Sequence, residues 1–451
     1  MSLSSAESET AKKFKYWQFR MMSVTWVAYA MSYVMRYTVI VAMPMLTVDL
    51  GFSNTQLGVF MTAHGIMYGL SKFLNGFVVH KFKASSFIAC GLIMCGAASF
   101  IFGSSSGAIV MGSMWLIQGL FQGMFWPPIS RLLSYWIPPN ELATKTSLWN
   151  TSHCVGTIAI FLAAAPLSFL SFGWSGWRNV FFAPAIFAVI TAVGVRFLIK
   201  DTPSSVGLPE LSIGENSKKV KGTRGEREES AEYKSFIKKQ VFKNPYMWII
   251  AVSNLFVYVV RFTILMWGPS LLLNWKGLSL AKATFTTALF EAVGIPGIIV
   301  CGWVTDKYFN GKGHRVCAIA MTLSCLFIFL FIHANFLPTW ILITFLIISG
   351  FFINGAQSLI LIVTSNMATK RAAATANGFA GVWGYSATAI TGTLFAFMQD
   401  TYGWTPALQL MTALGTIGSI LLFFAWKAKA TGYEELEAES KKNKDIKRLT
   451  T

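Results

Sequence analysis

Charged residues are scarce in this chain. They make up 12% of its 451 residues, and 54% are hydrophobic, whereas soluble domains are roughly 25% charged. Acids are the scarcer sign: 19 Asp+Glu stand against 37 Lys+Arg, a formal net charge of +18. A soluble protein this apolar would aggregate, so the composition predicts a polytopic membrane protein. Cysteine is sparse as well. Cys90, Cys95, Cys154, Cys301, Cys317 and Cys325 fall mostly in apolar stretches, without metal-ligand or framework spacing, so neither a metal site nor a disulfide is expected. A Walker loop, zinc-ligand spacing and a nucleophile elbow are all missing. The chain is therefore expected not to be an enzyme, to need no cofactor and not to use ATP. The first 19 residues are polar and basic, and the apolar run behind them is too long for a signal h-region, so no cleavable signal peptide is expected.

What the chain has in quantity is apolar helix. A span needs about 20 apolar residues. Twelve are predicted: 20–46, 54–77, 84–104, 108–130, 145–170, 177–199, 246–274, 283–305, 315–334, 338–363, 374–398 and 404–427. The 38 Phe, 16 Trp and 37 Gly suit membrane helices, where aromatics belt the interfaces and small residues allow close packing. Residues 1–19 form an N-terminal tail, 200–245 a hydrophilic connector and 428–451 a charged tail. The connector's charge run, Lys218, Lys219, Lys221, Arg224, Glu226, Arg227, Glu228 and Glu229, reads as a solvated, partly disordered linker.

A basic excess can signal nucleic acid, but here the cations sit in short loops and tails between apolar spans. Of the 37, Arg36, Lys72 and Arg261 are intramembrane; Arg178, Lys276 and Lys282 lie in loops on one side. The remaining 31 lie on the other, in both tails, the connector and loops such as His80–Lys83 and Lys370–Arg371. By the positive-inside rule both termini and the connector are cytoplasmic, and no nucleic-acid partner is expected.

The stretch Tyr29 to Pro44 organises the rest. Arg36 lies well inside an apolar run, where a charged side chain costs at least about 2.5–3.5 kcal/mol near the bilayer centre and marks a functional site by default. Tyr29, Tyr33 and Arg36, at i, i+4 and i+7, share a helix face. The chain repeats this device: Tyr-Val-Met-Arg-Tyr-Thr-Val-Ile at 33–40 returns as Tyr-Val-Val-Arg-Phe-Thr-Ile-Leu at 258–265, with Asn254, Tyr258 and Arg261 as the matching stripe. Gly76 and Lys81 match Gly302 and Lys307 at an offset of 226, and Ala143-Thr144-Lys145 matches Ala368-Thr369-Lys370 at 225, the offset between Arg36 and Arg261. Three landmarks in register, with six spans on each side of the connector, indicate a duplication into two parallel repeats, 20–199 and 246–427.

Two buried cations in equivalent places suggest a site for one anion. Guanidinium stays charged and holds phosphate or carboxylate oxygens bidentately. The bland alternative is a structural pair with a buried acid, but Glu291 is the one predicted intramembrane acid, so at most one arginine is neutralised that way. Lys72 shares a face with His64 and Tyr68; it either assists the anion or snorkels to the interface. Asn150 and His153 are i, i+3 neighbours, and His153 is a candidate ligand, with a hydrogen-bonded packing role as the alternative. Glu291 is expected to gate or balance charge rather than carry a proton. Arg36, Arg261 and Lys72 against Glu291 leave a net charge of about +2 with His153 neutral, which suits a phosphate monoester carrying about −1.5 to −2. Tyr29, Tyr33, Tyr68, Tyr258 and Tyr385 supply hydroxyls for phosphate or sugar.

With these residues in hand, the chain resembles the major facilitator superfamily, through Gly-x-x-x-[Asp/His]-Lys after the second and eighth spans. More narrowly it resembles the organophosphate:inorganic-phosphate antiporters. The segments that carry this are Arg36 through Ala-Met-Pro44, Tyr68-Gly-Leu-Ser-Lys72, Phe121-Gln-Gly-Met-Phe-Trp-Pro-Pro128, Trp149-Asn-Thr-Ser-His153, Asp201-Thr-Pro…Gly-Leu-Pro209, Tyr258-Val-Val-Arg261, Phe290-Glu291 and Gly378-Phe379. The resemblance implies an all-α fold of twelve transmembrane helices in two six-helix bundles, in a bacterial plasma membrane. It also implies a rocker-switch exchanger in which Arg36 and Arg261 grip the phosphoryl group and Lys72, His153, Tyr258 and Glu291 bind or rearrange on closure. Departures are Tyr37 where relatives carry lysine, Met266 where they carry an acid, His80 for the usual aspartate, and an uncharged Tyr385-Ser-Ala-Thr388…Gly392. The segments point to the hexose-phosphate transporter and sensor branch, so the expected substrates are glucose 6-phosphate and inorganic phosphate, handled by a monomer. The alternatives are a carrier of glycerol 3-phosphate or another three-carbon phosphate, a sugar-phosphate receptor of the same fold, and a proton-coupled exporter relying on Glu291.

Overall fold

A computed structural model describes residues 3–137, 142–170, 172–209 and 235–429. The connector's charge run and the tail from residue 430 onward lie outside these residues. The described chain is helical: α1 Leu3–Arg36, α2 Thr38–Leu50, α3 Asn54–Val78, α4 Ala84–Ser104, α5 Ala108–Gln122, α6 Trp126–Trp136, α7 Leu142–Phe169 and α8 Asn179–Leu198. After the connector come α9 Pro245–Asn274, α10 Leu280–Ala292, α11 Gly294–Phe309, α12 Gly313–His333, α13 Thr339–Met367, α14 Thr369–Ala389, α15 Phe395–Tyr402 and α16 Trp404–Phe424.

All twelve expected spans are helical, with three interruptions. Pro127 and Pro128 stand in the first turn of α6, where the missing N–H costs nothing, and they split the span over 108–130 at Gly123–Phe125. Pro296 cannot donate to Ala292 and its ring crowds that carbonyl, so the run over 283–305 is interrupted at Val293. Tyr37 interrupts the first span with φ −102° and ψ 4°. Between α14 and α15 the helix widens into a π turn over Ile390–Leu394. Helix α1 begins at Leu3, within the polar N-terminal stretch.

Among the described residues, ten helical stretches are long and apolar enough to cross a membrane. The expected spans outside that set are 54–77 and 374–398. Both are helical but more polar, with His64, Ser71, Lys72 and Asn75 in α3 and Asn377, Tyr385, Ser386 and Thr388 in α14.

The chain packs as two compact units, Met1–Val220 with Pro269–Ala288, and Lys221–Gly268 with Leu289–Thr451. The segment Pro269–Ala288, expected within the C-terminal bundle, thus groups with the first unit. In the first unit Trp136, fully buried, donates its indole N–H to the Lys200 carbonyl at 2.9 Å and accepts from Gln18 at its own carbonyl at 2.9 Å, tying α1, α6 and the end of α8 together. In the second unit Trp267 does the same work, donating to the Thr391 carbonyl at 2.8 Å and packing on Phe395 and Trp404. A buried indole N–H usually finds an acceptor, and these two do. None of the six cysteines is joined in a disulfide.

Candidate functional site

Arg36 ends α1 and lies over aromatic rings: its guanidinium carbon is 4.1 Å from the Tyr68 ring centre and 5.5 Å from that of Tyr33. Cation–π contact of this kind contributes about 0.5–2 kcal/mol, more when desolvated. Lys72, one turn beyond Tyr68 on α3, holds its ammonium 5.9 Å from the same ring and 5.7 Å from Trp126. Tyr33 continues the stack to Tyr29 at 5.2 Å, and Tyr29 packs on Trp149 at 4.8 Å and Trp126 at 6.1 Å. The predicted face of Tyr29, Tyr33 and Arg36 is therefore the rim and floor of one aromatic platform, with Tyr29 buried at its base. Tyr37 is buried against Phe161.

His153 lies beside this platform, 5.5 Å from the Tyr33 ring. Its Nδ1 meets the main-chain carbonyl of Asn150, and its Nε2 lies 3.4 Å from the Cys154 sulfur. The Asn150–His153 pair thus meets through backbone, and Asn150 itself is exposed. Trp149, between them and Tyr29, is fixed by a 3.0 Å bond to the buried Thr25 hydroxyl.

Arg261 in the second unit is held differently. It is 5% exposed, its Nε donates to Asn354 Oδ1 at 2.7 Å, and a terminal nitrogen pairs with the carboxylate of Glu291, itself 1% exposed. Asn354 is oriented in turn by donating its amide to the Gly350 carbonyl at 3.0 Å, and Gly294 leaves room for it: a Cβ there would come 2.5 Å from Asn354 Nδ2. One arginine is therefore paired with the one expected acid, as the sequence allowed. Tyr258 packs edge-on against Tyr385 at 5.9 Å and Phe262 at 5.0 Å. Asn254, in the repeat stripe, spends its amide on the Ala380 carbonyl of α14 at 2.8 Å. Thr391 reaches the Met266 sulfur at 3.7 Å, and the Thr388 hydroxyl bonds the Tyr385 carbonyl of its own helix.

Sequence reasoning missed Asn354, Gln118 and Gln122. The available signal was weak: one asparagine in the apolar α13 and two glutamines a turn apart in α5. Both features resemble ordinary helix-packing polar residues until their partners are known. In chemistry, the two sites offer guanidinium groups, an ammonium and phenols in apolar surroundings, which suits an oxyanion with hydroxyls attached.

The sequence model of the Major Facilitator Superfamily matches residues 25–392. A probable hexose phosphate transport protein of Chlamydia trachomatis is 32% identical over 428 residues, covering 92% of each chain. The glycerol-3-phosphate transporter of Bacillus subtilis is 31% identical, over 93% of this chain and 95% of that one. The membrane sensor protein UhpC of Escherichia coli is 30% identical, over 92% and 93%. In fold, the chain is similar to an inward-facing, unoccupied bacterial homolog of the human lysosomal transporter Spinster, with a TM-score of 0.76 at 13% identity over 91% of this chain and 97% of that one.

Proposed function

We propose that this chain, which belongs to the Major Facilitator Superfamily and within it to the organophosphate:phosphate antiporter family, exchanges an external sugar phosphate, foremost glucose 6-phosphate, for internal inorganic phosphate by alternating access. It is a multi-pass protein of the bacterial inner membrane. We place twelve spans in it, counting α3 and the α14–α15 run, with both termini cytoplasmic. The charge distribution supports that orientation, and the polar faces of the two added helices suit a substrate path better than lipid.

The observation that carries the reading is the pair of guanidinium groups, Arg36 and Arg261, at repeat-equivalent positions inside apolar helices. Both bind the phosphoryl group, assisted by Lys72, His153 and the tyrosine hydroxyls. The Arg36 guanidinium carbon lies 4.1 Å from the Tyr68 ring centre, and a guanidinium's planar fork of N–H donors suits an oxyanion. On the Arg261 side, Glu291 is the resident counter-charge. An arriving phosphoryl group takes over part of that neutralisation, and its departure returns Arg261 to Glu291. A cationic site empty of anion resists closure, so each half-cycle carries a phosphate group and the exchange is obligatory.

The test of substrate is exchange in proteoliposomes loaded with labelled phosphate and offered single external compounds. Release by glucose 6-phosphate at micromolar to millimolar levels supports the reading. Release by glycerol 3-phosphate or a three-carbon acid phosphate alone keeps the mechanism and replaces the substrate. Saturable binding of glucose 6-phosphate without any release assigns the chain to the receptors.

A further inference from the structure

Helix α5 carries two glutamines in an otherwise apolar interior, Gln118 at 0% and Gln122 at 2% exposure. Their hydrogen bonds run in one direction. His64 Nε2 meets Gln118 Oε1 at 3.0 Å, Gln118 Nε2 donates to Gln122 Oε1 at 3.4 Å, and Gln122 Nε2 donates to the Ser32 carbonyl at 2.9 Å. With an amide oxygen as its partner, His64 Nε2 carries the hydrogen. From α4, the Cys95 thiol adds long contacts to the Gln118 carbonyl at 3.7 Å and to Gln122 Oε1 at 3.9 Å.

Both ends of this rail are informative. Ser32 stands four residues before Arg36, so its carbonyl belongs to the last turn of α1, the turn that presents the guanidinium. His64 stands four residues before Tyr68, on the same face of α3, and the Tyr68 ring is the one 4.1 Å from Arg36. The rail therefore joins the two turns whose side chains meet in the Arg36–Tyr68 contact. Helices α3 and α5 are locked to one another besides: a Cβ on Gly119 would lie 2.7 Å from the His64 carbonyl oxygen, one on Gly123, just after α5, would lie 2.6 Å from the Lys72 main-chain nitrogen, and Ser71 donates to the Leu120 carbonyl. Two methionines would fill the volume of the glutamines without the desolvation cost of two amides, so packing alone gives no reason for this polar chain.

We propose that Gln118 and Gln122 are positioning residues for phosphoryl binding, holding the Arg36 turn in register with Tyr68 through the rail from His64 to Ser32. This rests on the reading of Arg36 as a phosphoryl ligand. The glutamines touch no substrate; they act through Arg36.

The experiment measures the dissociation constant of inorganic phosphate on the purified full-length protein, with melting temperature recorded beside it. Wild type is compared with Gln118→Met, Gln122→Met, Tyr68→Leu and Gln122→Met/Tyr68→Leu. Loss of a buried positioning hydrogen bond should weaken phosphate binding about tenfold in each glutamine variant. Because Tyr68 packs on the Arg36 guanidinium and Gln122 holds the turn that presents it, the double variant should lose less than the product of the two single losses. A merely structural glutamine would lower the melting temperature and leave the constant of the folded fraction where it was. Unchanged constants in both glutamine variants, or losses that multiply, overturn the inference while the phosphate site stands. Wild type that binds no phosphate overturns the site and this inference together. If Gln122→Met does not fold, His64→Leu cuts the rail at its other end and carries the same expectation.

Discussion

Arg36 and Arg261 occupy equivalent places in the repeat and are supported by different chemistry. Arg36 rests on tyrosine faces, whereas Arg261 is engaged through Nε and a terminal nitrogen by Asn354 and Glu291. Lysine at either position keeps the charge and loses the planar fork, so Arg36→Lys and Arg261→Lys should each cut phosphate exchange by roughly 10–100-fold, the worth of one or two charge-assisted hydrogen bonds. The Arg261 partner makes a sharper prediction. Removing one member of a buried ion pair costs about 3–5 kcal/mol because the other charge is left uncompensated. Glu291→Gln should therefore melt lower than wild type without ligand, and phosphate, binding the folded state alone, should raise its melting temperature by more than it raises that of wild type. An equal or smaller phosphate shift in Glu291→Gln would detach Glu291 from the anion site.

At the scale of elements, close backbone approach sets what the helices tolerate. Gly119→Val places methyl groups where the α3 backbone already stands and should destabilise by about 1–3 kcal/mol, with exchange lost as α3 and α5 separate. Gly194→Ala on α8 meets nothing nearer than Leu198 Cδ1 at 4.0 Å and should be neutral or slightly stabilising, since alanine is the better helix former by about 1 kcal/mol. Melting curves and exchange rates of the two variants check the contrast. The helices themselves were legible because apolar length and proline are local signals: all twelve stretches are helical, and the breaks at Pro127-Pro128 and before Pro296 have their cause in the sequence. The interruption at Tyr37 was not legible, since no proline or glycine stands beside it. Arg36, Arg261 and Glu291 could be singled out because a charge in an apolar run is conspicuous by itself. Their partners could not. Asn354 lies 93 residues from Arg261 and Gln122 lies 90 from Ser32, so pairing depends on helix packing that periodicity does not encode. Asn150 and His153 do meet at i, i+3, but that the contact runs through the Asn150 main-chain carbonyl was not legible from the spacing.

For the whole molecule, the proposed exchange requires that the positive site turn over only when it carries a phosphate group in both directions. The measurement that tests this most directly is uptake of labelled glucose 6-phosphate into proteoliposomes of the purified protein, with inorganic phosphate inside, with sulfate-free buffer alone inside, and with Arg36→Lys and Arg261→Lys beside wild type. Obligatory exchange gives uptake with internal phosphate, near-background uptake without it, and severe loss in both arginine variants. Uptake at full rate into vesicles that hold no phosphate or other counter-substrate would contradict it.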